Sequence, residues 1–247
     1  MLELKNLTVS VADKIIIKNL NLKLKKNKVY VLMGPNGSGK STLALTLMAH
    51  PLYQIKSGKI LFEKKDITDL APEKRANLGM FLSFQSPLSL SGVSMFSLLR
   101  TAIAGKCDPL ALREKIEKTA KLLRIKKELL DRSFNEGTSG GEKKKLELLQ
   151  AAILNPKFLM FDEIDTGVDI DALRTIAQFM EKNKKDKTYL LITHYNRILK
   201  YVKPDEVLVM MEGKIVKQGN YKLAEEIEKN GYEKIVQKSK IKVQRQV

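Results

Sequence analysis

The chain has very little sulfur and imidazole chemistry to offer: one cysteine, Cys107, and two histidines, His50 and His194, among 247 residues. A lone thiol cannot close an intrachain disulfide, and it cannot by itself ligate zinc or an iron–sulfur cluster. Long apolar runs are also missing. None reaches the roughly 18 residues that a membrane-spanning helix needs. The start, Met1 to Lys5, lacks the basic segment followed by an apolar stretch that marks a secretory leader, so a cytoplasmic protein without membrane insertion is expected. Aromatic residues are few, at 6%, which bears on the formal charge of +17. Such a charge suits nucleic acid or an anionic surface. The lysines are scattered, however, in short patches such as Lys23 to Lys28 and Lys182 to Lys187, with few aromatics beside them for base stacking. A solvated basic face is expected, with an acidic protein partner as the competing explanation and no nucleic acid.

What the chain does have is a series of short, continuously apolar runs: Val29 to Met33, Met80 to Phe84, Phe158 to Phe161, Tyr189 to Thr193 and Val207 to Met210. Such runs are the pattern of strands buried on both faces of a sheet. Helical or polar segments separate them, which predicts an α/β fold with a parallel or mixed sheet covered by helices. From Pro87 to Gln150 the pattern is helical, as in Met95 to Ile103 and Ile116 to Ile125, and this stretch reads as an inserted helical subdomain. Residues 1–86 and 151–247 then form the α/β core.

Three motifs carry chemistry. Gly34, Pro35, Asn36, Gly37, Ser38, Gly39, Lys40, Ser41 and Thr42 follow an apolar strand and open a helix, the context a phosphate-binding loop requires. Glycines let backbone N–H groups turn toward phosphates, and the helix N-terminus adds partial positive charge. Lys40 is placed to reach the β- and γ-phosphates and the Ser41 hydroxyl to hold Mg2+. Next, the strand Phe158 to Phe161 ends in two carboxylates, Asp162 and Glu163. Two like charges at a strand end are costly unless something uses them; Asp162 suits the metal and Glu163 suits a base that polarises water. Finally, Thr138, Ser139, Gly140, Gly141 and Glu142 precede a helix and make a second anion site. Two phosphate sites with one phosphate loop suggest a sandwich.

In this order and spacing the motifs resemble those of ATP-binding cassette ATPases along nearly the whole chain. The resemblance implies a P-loop NTPase fold, mixed sheet and inserted helical subdomain, with ATP and Mg2+ as cofactors. It implies that Gln85 is the glutamine-loop residue touching metal and attacking water, and that Ser139, Gly140, Gly141 and Glu142 are the signature that meets nucleotide held by the opposite protomer. Asp169 matches the aspartate loop, and His194 the switch histidine. The string from Asp162 through Glu163, Ile164, Asp165, Thr166, Gly167 and Val168 to Asp169 departs from the transporter pattern of proline followed by Ser-Ala-Leu-Asp. Together with Tyr195 after the histidine and the Gly213 to Gly219 segment, it resembles the SufC-type ATPases of iron–sulfur cluster assembly. That resemblance implies SufB/SufD-like scaffold partners, an ATP-dependent homodimer of cassettes, and no cluster on this chain. The rival expectations are the ATPase of a membrane transporter and a nucleic-acid-associated cassette. Two departures stand out: Val9 to Ala12 offers no aromatic to stack on adenine, and Glu142 replaces the usual glutamine.

Overall fold

A computed structural model describes residues 1–85, 88–103, 107–193 and 197–244, and beyond Tyr232 the backbone only. The chain opens with β1 (Leu2–Val11) and β2 (Lys14–Leu24), then β3 (Val29–Met33) and α1 (Lys40–Leu47). β4 (Tyr53–Phe62), the two-residue β5 (Lys65–Asp66), α2 (Pro72–Asn77) and β6 (Met80–Ser83) follow. A second layer holds β7 (Leu90–Ser94), α3 (Met95–Ile103), α4 (Pro109–Leu122), α5 (Glu128–Asp131), β8 (Ser133–Phe134) and α6 (Gly140–Leu154). The chain finishes with β9 (Phe158–Asp162), α7 (Ile170–Asn183), β10 (Thr188–Ile192), β11 (Glu206–Met211), β12 (Lys214–Gly219) and α8 (Tyr221–Gln244).

Six strands form the central sheet in the order β12-β11-β3-β10-β9-β6. All neighbours pair parallel except the edge strand β12, so the sheet is mixed. The five residues of each of β3, β9 and β10 are all buried, as the continuous apolar runs require. Alternation along these strands divides the interior in two. Val29, Val31, Met33, Leu159, Phe161, Tyr189 and Leu191 face the core beneath α6, α7 and α8. Tyr30, Leu32, Phe158, Met160, Leu190 and Ile192 face the opposite core, closed by α1 and the antiparallel sheet β2-β1-β4-β5. Burial of each such side chain stabilises the fold by about 1.5–3 kcal/mol. In register, Ile192 lies between Leu32 and Asp162, which brings the carboxyl ends of β3, β10 and β9 together. Crevices beyond the carboxyl ends of parallel strands are where α/β sheets bind ligands.

The stretch read as helical is not helical throughout. β7 and β8 pair antiparallel as a short ribbon, with Leu90 opposite Phe134 and Ser94 opposite Ser133. These strands are too short for periodicity to reveal. α4 also starts well before Ile116, because Asp108 caps it through the amides of Leu110 and Ala111 and Pro109 takes the first turn. α6 runs through residue 150, so the helical layer and the central sheet share this element.

Arg75 anchors the far end of α1. It is 1% exposed, and its guanidinium donates to the carbonyls of Thr46 at 2.8 Å, Leu47 at 3.0 Å, Thr68 at 2.7 Å and Leu70 at 2.9 Å. Thr46 and Leu47 end a helix whose last carbonyls have no intrahelical donor, and a cation there also suits the helix dipole. Burial lowers the guanidinium pKa to about 10, which leaves it charged at neutral pH. The helix that presents the phosphate loop at its N-terminus is thus fixed at its C-terminus.

Candidate functional site

The phosphate loop turns on Gly37 and Gly39, whose φ values of 74° and 107° lie in the left-handed region. Ser38 N donates to Pro35 O at 3.2 Å, and Gly213 N donates to Ser38 O at 2.9 Å, tying the loop to the β11–β12 turn. Lys40 Nζ folds back within the loop and donates to the carbonyls of Gly34 at 2.9 Å and Pro35 at 3.0 Å. Burial lowers the Lys40 pKa, and Asp162 and Glu163 oppose that shift.

Asp162 ends β9 and is buried. Burial pushes its carboxyl up, against a hydrogen bond from Ser41. Its Oδ1 is buried without a hydrogen-bond partner. A buried carboxylate atom lacking a donor, next to a serine hydroxyl, fits a cation bound by oxygen ligands. Glu163 follows with φ 52°, an uncommon conformation for a side chain of its size, held by its amide donating to Ile192 O at 2.8 Å. Gln85 Nε2 donates to Glu163 Oε2 at 2.7 Å, and Thr166 Oγ1 lies 3.5 Å from the same oxygen. Asn36, Gly37, Gly39, Lys40, Ser41, Thr42, Gln85 and Glu163 line one open cavity of about 800 Å3, joined by Ile16, Thr166 and Tyr232.

The second motif lies elsewhere. Ser139, Gly141, Glu142 and Asp169 line a separate cavity of about 210 Å3 with Arg124, Lys126 and Lys145. Ser139 caps α6 and accepts from Glu142 N at 3.3 Å, while Glu142 Oε2 accepts from both Ser139 N and Ser139 Oγ at 2.9 Å. This reciprocal capping box holds Glu142 on its own helix and lowers its pKa, chiefly through the Ser139 amide. Gly140 is required by close approach: a Cβ there would meet Gly167 O at 2.8 Å. Asp169 caps α7, with Oδ1 accepting from Ala172 N at 2.7 Å, and that bond lowers its pKa. The two acidic-loop residues Glu163 and Asp169 therefore serve different cavities. His194 lies outside the described residues.

Within this geometry the comparisons are specific. The profile of the ABC transporter family matches residues 17–166. The chain is 42% identical over 242 residues to a probable ATP-dependent transporter, ycf16, of Cyanophora paradoxa, covering 94% of this chain and 93% of that one. It is 45% identical over 244 residues to a probable ABC transporter ATP-binding protein of Streptococcus pyogenes serotype M3, covering 96% and 95%. The chain belongs to the ABC transporter family. It is an ATP-hydrolysing cassette that works on ATP with Mg2+. The fold agrees with a nucleotide-free ATP-binding cassette from an ABC transporter, at TM-score 0.74 and 28% identity over 89% of this chain and 91% of that one. It also agrees with the cassette MJ0796, described as a dimer bound to ADP and Pi, at TM-score 0.77 and 20% identity over 89% and 98%.

Three parts of the cassette were not visible in sequence. Lys144, within the run Lys143 to Lys145, is buried rather than solvated: Nζ donates to Phe84 O at 2.5 Å and pairs with Glu147 at 3.2 Å. Glu147, whose carboxyl burial pushes up, accepts from Ser83 Oγ at 2.6 Å and Phe84 N at 3.0 Å. The signature helix thus grips the strand end that carries Gln85. Asp165 is also buried, and Thr193 Oγ1 donates to its Oδ1 at 2.9 Å and Oδ2 at 3.0 Å, while Arg197 donates to Val168 O at 3.1 Å. Tyr232 is the third, from a segment far from any motif. The Lys144 spacing to Glu147 at i,i+3 was the one readable signal.

Proposed function

We propose that this cassette is a SufC-type ATPase whose ATP-driven, head-to-tail dimerisation moves an iron–sulfur assembly scaffold of the SufB/SufD kind. The observation that carries the reading is the Asp165 latch. Asp165 stands in the string that departs from the transporter pattern, and its bonds to Thr193 tie the turn between Glu163 and Asp169 to the residue before His194. In the proposed cycle the Gly34 to Lys40 loop cradles the phosphates, with Lys40 turning from the loop carbonyls to the β- and γ-phosphates. Ser41, Asp162 and Gln85 would hold Mg2+, which supplies charge neutralisation on the phosphates. Glu163 takes the proton of the attacking water, Gln85 orients that water, and His194 supports the γ-phosphate. Ser139, Gly140 and Gly141 face the nucleotide of the other protomer. Glu142, held in its capping box, positions Ser139, and Asp169 sets the edge of that second cavity.

A coupling route supports the reading. Phe84, Leu88 and Leu90 expose apolar side chains beside Gln85, at 44%, 75% and 37%. Asn135 Nδ2 donates to Leu88 O at 2.8 Å, and Ser89 Oγ and Thr138 Oγ1 both donate to Asn135 O. A protein docked there feels Gln85 on one side and the signature on the other. One cysteine and two histidines cannot supply the ligands of an iron–sulfur cluster, so in this reading the cluster forms on the partner.

The second reading, a membrane-transporter ATPase, is favoured by the names of the relatives. No described helix is long and apolar enough to cross a membrane. Affinity capture from the native cell, read by mass spectrometry, separates the two. The proposal expects scaffold proteins without membrane spans, lost when Leu88, Leu90 or Val93 is replaced by aspartate while ATP binding persists. Recovery of integral membrane proteins instead would establish the second reading.

A further inference from the structure

The first part of α8 is pinned to the core by Leu223, Ala224 and Ile227, all 4% exposed or less. At Gly231 the helix breaks, with φ 73° and ψ 169°, a conformation that side chains rarely adopt. The next residue, Tyr232, leans its ring on the core beneath the helices and at the same time lines the cavity of Asn36, Gly37, Lys40, Ser41, Gln85 and Glu163. Its hydroxyl is buried, and no described acceptor lies within hydrogen-bond distance of its proton. Burial raises the phenol pKa, and a hydrogen bond from the backbone of Gly34, first residue of the phosphate loop, opposes the shift.

A buried hydroxyl proton without an acceptor is destabilising, and a partner in a working state would relieve it. The Gly34 amide faces its oxygen, and the carbonyls of Gly34 and Pro35 are taken by Lys40, which leaves an acceptor as the missing partner. We propose that Tyr232 is a nucleotide-binding residue whose hydroxyl donates to a phosphate oxygen of the nucleotide in this cavity. The residue lies outside the 17–166 span that the family profile matches, and no motif marks it. The break at Gly231 immediately precedes it. The assignment rests on nucleotide occupying the phosphate loop.

Removing the hydroxyl should have opposite consequences in the two states. In Tyr232→Phe the nucleotide-free melting temperature should stay level or rise, because a buried unpaired group is gone. Affinity for MgADP and for a non-hydrolysable ATP analogue, measured by calorimetry, should fall about threefold to tenfold, the loss of one hydrogen bond. The chain contains no tryptophan, so Tyr232→Trp supplies a single fluorophore whose emission should change on nucleotide addition. Unchanged affinity in Tyr232→Phe with a flat Tyr232→Trp signal overturns the assignment, as does a drop in nucleotide-free stability that matches the loss of affinity. Lys40→Ala serves as the control: if it alone abolishes binding, only Tyr232 is refuted, and if neither variant changes binding, the phosphate-loop reading falls too.

Discussion

The two anion sites of this cassette are built on opposite plans. Around the phosphate loop, bonding capacity is left unfilled among the described residues: Ser38 Oγ and Asp162 Oδ1 are buried without a partner, and the proton of the buried Tyr232 hydroxyl has no acceptor. Lys40 is held by two loop carbonyls, weak partners for a cation that burial already discourages. At the signature the polar groups satisfy one another, Ser139 with Glu142 and Asp169 with Ala172. The first arrangement favours a ligand that completes it. The second needs no ligand for its integrity and offers a preformed, rigid helix start. Binding energy therefore belongs to the first site, while in the proposed head-to-tail dimer the second contributes position.

The largest expected effect follows at the first site. Lys40→Ala removes the only side-chain cation among the described residues lining that cavity, and ATP affinity measured by calorimetry should fall by about 100-fold or more. Binding within a few fold of the parent would refute the contrast at its stronger pole.

Much of that pole was legible. The Val29 to Met33 run, the glycines after it and the acids after Phe161 each combine a local pattern with a chemical requirement, and the sheet places them side by side. The partition of the signature into its own cavity was legible only through family resemblance, since sequence spacing says nothing about which loops converge. Arg75, Lys144 and Asp165 were illegible for a shared reason. Their side chains act on backbone carbonyls or on groups more than twenty residues away, and a charged residue in a polar stretch has no periodic signature that distinguishes burial from solvation. Tyr232 was illegible because no motif surrounds it and the backbone break at Gly231 that precedes it leaves no periodic signal.

The next effect separates binding from chemistry within the first site. Glu163→Gln keeps the shape and the contact with Gln85 but cannot take a proton. Turnover should fall about 100-fold to 10,000-fold with ATP affinity retained, checked by single-turnover hydrolysis beside calorimetry. Hydrolysis at the parental rate would move the base elsewhere, with His194 the next candidate.

The smallest effect belongs to the self-satisfied site. Glu142→Gln weakens the capping box and should cost a few tenths of a kcal/mol near neutral pH, the screened value for a half-exposed carboxylate. The Glu142 pKa is depressed in the folded chain from its ordinary 4.5. Its contribution is therefore complete above that ordinary value and is lost as pH falls through the depressed one. Melting curves of parent and variant should differ at pH 7 and converge in acid. A difference that grows on acidification would contradict the assigned bond.

The central claim, that the two sites of one chain work in different composite sites, is tested most directly by mixing two inactive variants. Lys40→Ala destroys the phosphate loop and Ser139→Arg blocks the signature, so each variant alone has no intact composite site. A mixed dimer unites the sound loop of one protomer with the sound signature of the other. ATPase activity of an equal mixture should recover to as much as about a quarter of the parental rate, half the dimers being mixed and each carrying one of two sites. A mixture that stays as inactive as its components would show that the cassette does not complete its site across a dimer.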